Sequence, residues 1–210
     1  KMRKLALKRG YKINEYGVFD EKKNKRLCGK TENEIFSFMK MDYIPPELRE
    51  DRGEIEASLR GSLPELVELK DIKGDLHVHS LYSDGRASIP QIAEEAIKRN
   101  YRYIAITDHS QSLRVAGGLQ RKEVYKKIEE IRKLNKKMKG IRILCGTEAD
   151  ILKEGKIDYP ESILKEFDIV IASIHSGFKQ SKGQLTRRMV AACKNKYVHI
   201  IGHPTGRLIG

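Results

Sequence analysis

Tryptophan is absent from the 210 residues, and cysteine occurs only at Cys28, Cys145 and Cys193. An odd number of widely spaced thiols, with no Cys-x-x-Cys pair, excludes a disulfide framework. It fits idle thiols in a reducing cytoplasm, the expected location. Long apolar runs are also lacking. Stretches such as Ile169 to Ala172 and Val198 to Ile201 fall far short of the roughly 20 residues a membrane span needs. No segment reads as a signal peptide. A Walker A loop, a Gly-x-Gly-x-x-Gly turn after a strand and a Gly-x-Ser-x-Gly elbow are all missing, which argues against P-loop, dinucleotide-binding and serine-hydrolase chemistry. Because the first residue is Lys1 and not Met, the sequence reads as part of a longer chain.

Acidic residues are missing locally. Residues 1–12 carry Lys1, Arg3, Lys4, Lys8, Arg9 and Lys12 with no acid, and the stretch from Lys179 to Lys196 has none either. The formal net charge is +13. Such an excess favours polyanionic partners, nucleic acid above all. A solvated lysine-rich surface is the competing explanation.

Two segments differ in character. In the first, Met2 to Arg9 reads as a helix ended by Gly10. Tyr11 to Phe19 reads as a strand, and Leu27 and Cys28 as its return across the turn Asp20 to Lys25. Thr31 to Glu34 has the form of a capping box before a helix with Ile35, Phe36 and Met39 on one face. Pro45 and Pro46 end that unit, and residues 47–73 read as a polar connector with short helices. From Gly74 onward, strands at Asp75 to His79, Tyr103 to Thr107, Ile141 to Gly146, Asp168 to Ser173 and Val198 to Ile201 alternate with four helices. These are Ile89 to Arg99, Arg121 to Met138, Pro160 to Lys165 and Leu185 to Lys194. Such alternation implies a parallel α/β sheet, either a barrel or a doubly wound layer.

Five of the six histidines occupy matching places in that pattern. His77 and His79 close the first strand, and His109, His175 and His203 follow the second, fourth and fifth. Glu148 follows the third. In a parallel α/β fold all strand carboxyl ends lie on one face, so these residues converge. Strand residues two apart point the same way, so the His-x-His pair reaches one pocket. Asp84, in a Ser-Asp-Gly loop, can fold back to add a carboxylate, and Glu148 has two oxygens with which to bridge. This donor set suits Zn²⁺, Mn²⁺ or Fe²⁺ better than Ca²⁺. Seven ligands exceed one tetrahedral ion, so two or more metals are implied. Clustered ions suit phosphoester hydrolysis, with amide or amidine hydrolysis as a competitor. Glu148, Asp108 and Asp150 are candidates to support a metal-activated water, Asp108 and Asp150 by orienting His109 or supporting Glu148. Arg114, Lys182 and Arg207 are candidate phosphate or DNA contacts. The Gly117-Gly118 pair is a weak anion-binding signal. His199, inside the last strand, is read as structural.

The segments Asp75-Leu-His-Val-His-Ser, Ser83-Asp-Gly, Ile106-Thr-Asp-His-Ser, Gly146-Thr-Glu-Ala-Asp, Ala172-Ser-Ile-His-Ser and Gly202-His-Pro-Thr-Gly-Arg together resemble the PHP family (polymerase and histidinol phosphatase). The stretch Gln111-Ser-Leu-Arg-Val-Ala-Gly-Gly-Leu resembles the version fused to bacterial and archaeal family X DNA polymerases. Residues 1–52, with Lys8-Arg-Gly, Ile13-Asn-Glu-Tyr-Gly and Tyr43-Ile-Pro-Pro-Glu-Leu-Arg-Glu-Asp, resemble the end of a polymerase-beta-like thumb.

The resemblance implies an incomplete seven-stranded (βα) PHP barrel with five of its strands present, preceded by a small α+β thumb segment. The implied boundaries are a thumb over 1–52, a linker over 53–73 and a phosphoesterase domain over 74–210. By motif, His77, His79, Asp84, His109, Glu148, His175 and His203 match the family's ligands for two to three divalent ions. It further implies manganese-dependent 3′-5′ exonuclease and 3′-end processing in DNA repair. The implied partners are DNA with 3′ ends, gapped or single-stranded, and an upstream polymerase palm and fingers, with no membrane. Against the family pattern, the last two strands and an Asp-x-His pair lie beyond Gly210, and the palm's Asp-x-Asp is not present. An incomplete nuclease site, an exposed sheet edge and no polymerisation are therefore expected of this chain. Two rival readings are a stand-alone phosphatase acting on a small ester such as histidinol phosphate, and a non-catalytic module stabilised by metal.

Overall fold

The computed structural model describes residues 1–205. The chain falls into two compact units, Lys1–Val67 and Glu68–Gly210.

The first unit holds helix α1 (Met2–Lys8), a three-stranded antiparallel sheet of β1 (Tyr11–Asn14), β2 (Gly17–Asp20) and β3 (Arg26–Cys28), and helices α2 (Glu32–Phe38) and α3 (Glu54–Leu59). Tyr11 to Phe19 is thus two strands and not one. The Asn14 side chain accepts from the Tyr16 amide and starts a turn. Gly17, at φ 131°, lies so close to Cys28 and Gly29 that a β-carbon there would meet the Cys28 carbonyl. The capping box is also only half as expected. Thr31 accepts from the Glu34 amide, but the Glu34 carboxylate reaches the amides of Gly29 and Lys30. Ala6, Phe36, Met39, Met41 and Ile44 form the core. Arg49 grips both oxygens of Glu32 at 2.9 and 2.7 Å and lies over the Phe36 and Tyr43 rings.

The second unit is a five-stranded parallel sheet in the order β4 (Gly74–Val78), β5 (Tyr103–Ile106), β6 (Arg142–Asp150), β7 (Ile169–Ser173) and β8 (Ile200–Ile201). Each strand lies beside its predecessor. A doubly wound sheet would reverse direction partway, so this order belongs to a barrel wall. Helices α4 (Ile89–Lys98), α5 (Arg121–Lys137), α6 (Glu161–Leu164) and α7 (Lys182–Cys193) connect the strands. Same-handed crossovers put them on one face. One core results, built from Ile89, Ala93, Val124, Ile128, Ile131, Leu164 and Ala192 against Ile104, Ile106, Ile143, Val170 and Ala172. At the start of α4 the Gln91 side chain accepts from the Ser88 amide, and Pro90 lies in the first turn.

Strand β6 is longer than its sequence suggests. Its first half, Arg142 to Cys145, pairs with β5, and its second half, Gly146 to Asp150, pairs with β7. This stagger between neighbouring strands is what curls a sheet toward a barrel. Gly146 sits where the partner changes. A β-carbon there would lie 2.5 Å from Ile169 Cγ2 and 2.8 Å from Thr107 Cγ2, so only glycine lets the strands approach. By contrast β8 is shorter than the expected Val198 to Ile201, and His199 ties it to β7. The His199 amide donates to the Val170 carbonyl, and its Nδ1 accepts from the Val170 amide. Helix α7 starts at Lys182, three residues earlier than Leu185, because Ser181 and Gln184 cap it.

A buried ion pair joins α5 to the carboxyl end of the sheet. The Lys127 ammonium, fully buried, lies 3.2 Å from Asp108 Oδ2 and 2.9 Å from the Gly146 carbonyl. Burial pushes the Asp108 carboxyl up, but Lys127 and the Ser80 and Ser83 donors outweigh it and hold it below its ordinary value.

Two outcomes follow for stability. Gly146→Ala is expected to cost about 1–3 kcal/mol through overpacking, read by denaturant melting. A carboxyl with a depressed folded pKa stabilises at pH above its unfolded value, about 3.9, and that contribution fades as pH falls through the folded value. Asp108→Asn is therefore expected to lower the melting temperature more at pH 6 than at pH 3. An equal deficit at both pH values would contradict the ion pair.

Candidate metal centre

The strand ends deliver their side chains to one place. His77 lies on β4 and His79 one residue past it. Their ring centroids are 5.2 Å apart, and the Nε2 atoms of both lie 3.3 Å from Glu148 Oε2. His109 follows β5 and forms an isolated bridge with Glu148; its Nδ1 is 3.1 Å from the same oxygen. Asp84 folds back from its loop, with Oδ1 2.8 Å from His79 Nδ1 and Oδ2 3.6 Å from His109 Nε2. On the other side, His175 Nε2 and His203 Nε2 lie 3.3 and 2.8 Å from Glu148 Oε1, and 3.3 Å from each other. His203 has a backbone φ of 26°, a sparsely populated region for a residue with a β-carbon.

Glu148 is the centre of this arrangement. Its carboxylate is only 2% exposed, and five imidazoles divide between its oxygens, three on Oε2 and two on Oε1. Exposure rises outward to 49% at His203, so the cluster has a closed floor and an open mouth. Burial opposes the Glu148 charge, but the adjoining His175, His77 and His79 rings and the Ser173 hydroxyl outweigh it and hold the pKa far below the ordinary carboxylate range. Burial also lowers His175, yet Asp150 and Glu148 raise it to about 9. His109 is lowered by burial and by the neighbouring His79.

Of the supporting acids, Asp150 holds His175 Nδ1 through Oδ1 at 2.6 Å. That fixes the ring with Nε2 toward Glu148. The Asp108 carboxylate turns instead to Ser80 and Ser83, accepting from the Ser80 amide at 2.7 Å and from the Ser83 hydroxyl at 2.9 Å. It does not orient His109 or brace the Glu148 carboxylate, because successive residues of an extended segment face opposite ways. Arg114 is exposed on a turn after β5. Lys182 opens α7 and lines, with His203 and Phe178, a cavity of about 700 Å³. Arg207 lies outside the described residues. Gly117 has a positive φ, and its loop packs against Ser83, where a β-carbon would meet the Ser83 carbonyl at 3.4 Å.

Several participants escape sequence reading. Ser173 donates to Glu148 Oε1 at 2.7 Å. It lies two residues before His175, and that period-two spacing was its one signal. Lys127 gave a signal too: it stands three residues after Val124 and four before Ile131, on the apolar stripe of α5. Arg188, buried on α7, donates to the carbonyls of Ile151, Leu152 and Ser176, so it ties the segments following Asp150 and His175 together.

The donor set fits divalent cations. His77, His79 and Glu148, then His79, Asp84 and His109, then His109, Glu148 and His175 each bring ligand atoms within 4.8 Å of one another. His79 Nε2 and His109 Nδ1 are buried and lie 3.3 and 3.1 Å from Glu148 Oε2, yet at angles that make no hydrogen bond, and neither has another partner among the described residues. A buried ring nitrogen without a partner is costly. A cation accepting its lone pair removes that cost.

Comparison with known proteins agrees with this geometry. Residues 75–208 match the family model of the PHP domain, and residues 1–50 match that of the DNA polymerase beta thumb. The chain is 48% identical over 210 residues to the DNA polymerase/3′-5′ exonuclease PolX of Bacillus subtilis, which covers 100% of this chain and 36% of that protein. It is 40% identical over 135 residues to a probable phosphatase of Caldanaerobacter subterraneus subsp. tengcongensis, covering 62% of this chain and 51% of the relative. The chain thus spans about a third to a half of the length of these relatives. A solved histidinol phosphate phosphatase from Lactococcus lactis, complexed with zinc, L-histidinol and phosphate, overlaps 64% of this chain and 58% of its own at 22% identity and a TM-score of 0.45. The curled five-stranded wall, the strand-end histidines and the two matched family models place the chain in the PHP family of metal-dependent phosphoesterases, with a polymerase-beta thumb segment ahead of the PHP domain.

Proposed function

We propose that the Glu148-centred cluster hydrolyses phosphodiester bonds at DNA 3′ ends, as the exonuclease and end-processing part of a family X DNA polymerase acting in DNA repair in the cytoplasm. The observation that carries the reading is one buried carboxylate shared by five imidazoles, with two ring nitrogens left unpartnered. His77, His79, Asp84, His109, Glu148, His175 and His203 are the proposed ligands of two to three divalent ions, manganese or zinc, with iron also compatible with the donors. Bound by these residues, such ions would supply polarisation of a phosphoryl oxygen and a water that ionises near neutral pH.

The remaining work falls to the chain's own groups. Glu148, with oxygens facing different histidines, sets the spacing between the two halves of the site. Asp150 fixes the tautomer and orientation of His175. Asp108 steadies the Ser83 loop that presents Asp84. Lys182 lines the same cavity as His203 and is proposed as a contact for a phosphate backbone reaching the cluster; Arg114 and Arg207 are proposed further phosphate contacts. DNA as the substrate is supported by the thumb segment, by the PolX relative and by the +13 charge. Among the described residues no helix is long and apolar enough to cross a membrane. A small-ester phosphatase is the second reading, favoured by the relatives named as probable phosphatases.

The test is Mn²⁺-dependent hydrolysis of 3′-ended single-stranded DNA beside histidinol phosphate. Hydrolysis of DNA is expected to stop with chelator and return with Mn²⁺. His77→Ala and Glu148→Ala are expected to lower it by about two orders of magnitude or more. DNA binding should weaken steeply with salt as counterions are released. Hydrolysis of the small ester alone would favour the phosphatase reading. Undiminished DNA hydrolysis in His77→Ala would overturn the cluster as its source.

A further inference from the structure

Lys127 is the least expected side chain in the second unit. It is fully buried, and an ammonium ion is costly to bury unless its donors are satisfied. It faces three oxygens: the Gly146 carbonyl at 2.9 Å, Asp108 Oδ2 at 3.2 Å and the Ile106 carbonyl at 3.4 Å. Two of these end or interrupt the strands that carry His109 and Glu148. The third leads onward. Asp108 accepts from the Ser80 amide, from the Ser80 hydroxyl at 3.1 and 3.0 Å, and from the Ser83 hydroxyl. The Ser83 oxygen in turn faces the His109 amide at 3.4 Å and Asp84 Oδ1 at 3.3 Å. Asp84 reaches His79 and His109 from a loop and is half exposed. Turn hydrogen bonds from the Ser83 and Gly85 amides to the Ser80 carbonyl, and Tyr82 on Glu130, shape the loop. The side chain that holds Ser83, next to Asp84, is Asp108, and Asp108 is itself held by Lys127.

Resting on the metal-cluster reading above, we propose that Lys127 is a positioning residue that, through Asp108 and Ser83, holds Asp84 in ligand position and so governs affinity at the half of the cluster formed by Asp84, His79 and His109. Lys127 touches no proposed ligand side chain. Its effect travels through the loop. The His175 and His203 half has supports of its own, Asp150 on His175 and Ser173 on Glu148 Oε1.

The test uses Co²⁺ as the probe, followed by its visible absorption in the purified chain, with melting in chelator as the measure of folding. In Lys127→Met the affinity of one class of site is expected to fall about tenfold or more, in the range seen for loss of groups that orient ligands. The other class should stay within about twofold. Asp84→Asn should cause the same selective loss, and the double variant should show little more than either alone, because both act on one ligand. A purely structural lysine would lower the melting temperature while leaving both cobalt affinities and the spectrum unchanged; that result would overturn the proposal. Should Lys127→Met fail to fold, Ser83→Ala decides, since it cuts the relay without stranding a buried charge. Selective weakening there supports the proposal, and unaltered cobalt binding overturns it. Failure of the unaltered protein to take up cobalt at all would instead overturn the metal-cluster reading, and the proposal with it.

Discussion

Everything in the second unit turns on one buried carboxylate. Glu148 lies almost out of water with five imidazoles around it, and a carboxylate in such a place must be compensated. Hydrogen bonds from His203 and from Ser173 do part of this. They leave two ring nitrogens without partners, and they give His175 a proton at neutral pH that a cation would have to displace. Cations between the carboxylate and the rings satisfy all of these groups together. The mixed carboxylate and imidazole lining is thus chemically consistent as a metal site and inconsistent as an ordinary protein core.

The sheet is built to make that convergence possible. Strand β6 changes partner at Gly146, and the resulting stagger pushes its carboxyl half beyond the end of β5. Glu148 thereby sits at the level of His109, which bridges to it, and faces the histidines following β7 and β8. Without the glycine the strands could not approach, and without the stagger the wall would flatten. Two buried cations brace the rim from the helix side. Lys127 gathers the end of β5 and the Gly146 junction inside β6, and Arg188 gathers the segments following β6 and β7. Neither finds its reason in the apolar core in which it is embedded.

Much of this was legible in the sequence. Alternating strand and helix patterns placed His77, His79, His109, His175 and His203 at strand ends, and a parallel sheet brings such ends together whatever their separation in sequence. Local pattern left barrel and doubly wound layer open, because it does not encode strand order; the motif resemblance is what pointed to the barrel that the strand order shows. The extent of β6 was also hidden: Gly146 reads as a strand terminator, yet here it marks a change of partner. The break at Glu15 and Tyr16 was masked by the β-forming residues around it. Lys127 and Arg188 were hidden because a basic residue on an amphipathic helix is ordinarily solvated, and only the tertiary fold supplies the oxygens that hold them. Asp108 was recognised as important, but its partners in the Ser80 to Asp84 loop could not be read from its neighbour His109.

The most direct test of the account is anomalous X-ray scattering from crystals of the protein soaked in Mn²⁺. The account requires two or three manganese peaks in the pocket lined by the seven side chains. At least one should lie against each oxygen of Glu148: Oε2 beside His77, His79 and His109, and Oε1 beside His175 and His203. A pocket free of manganese at saturating concentration, with Glu148 still hydrogen-bonded to protonated imidazoles, would contradict it.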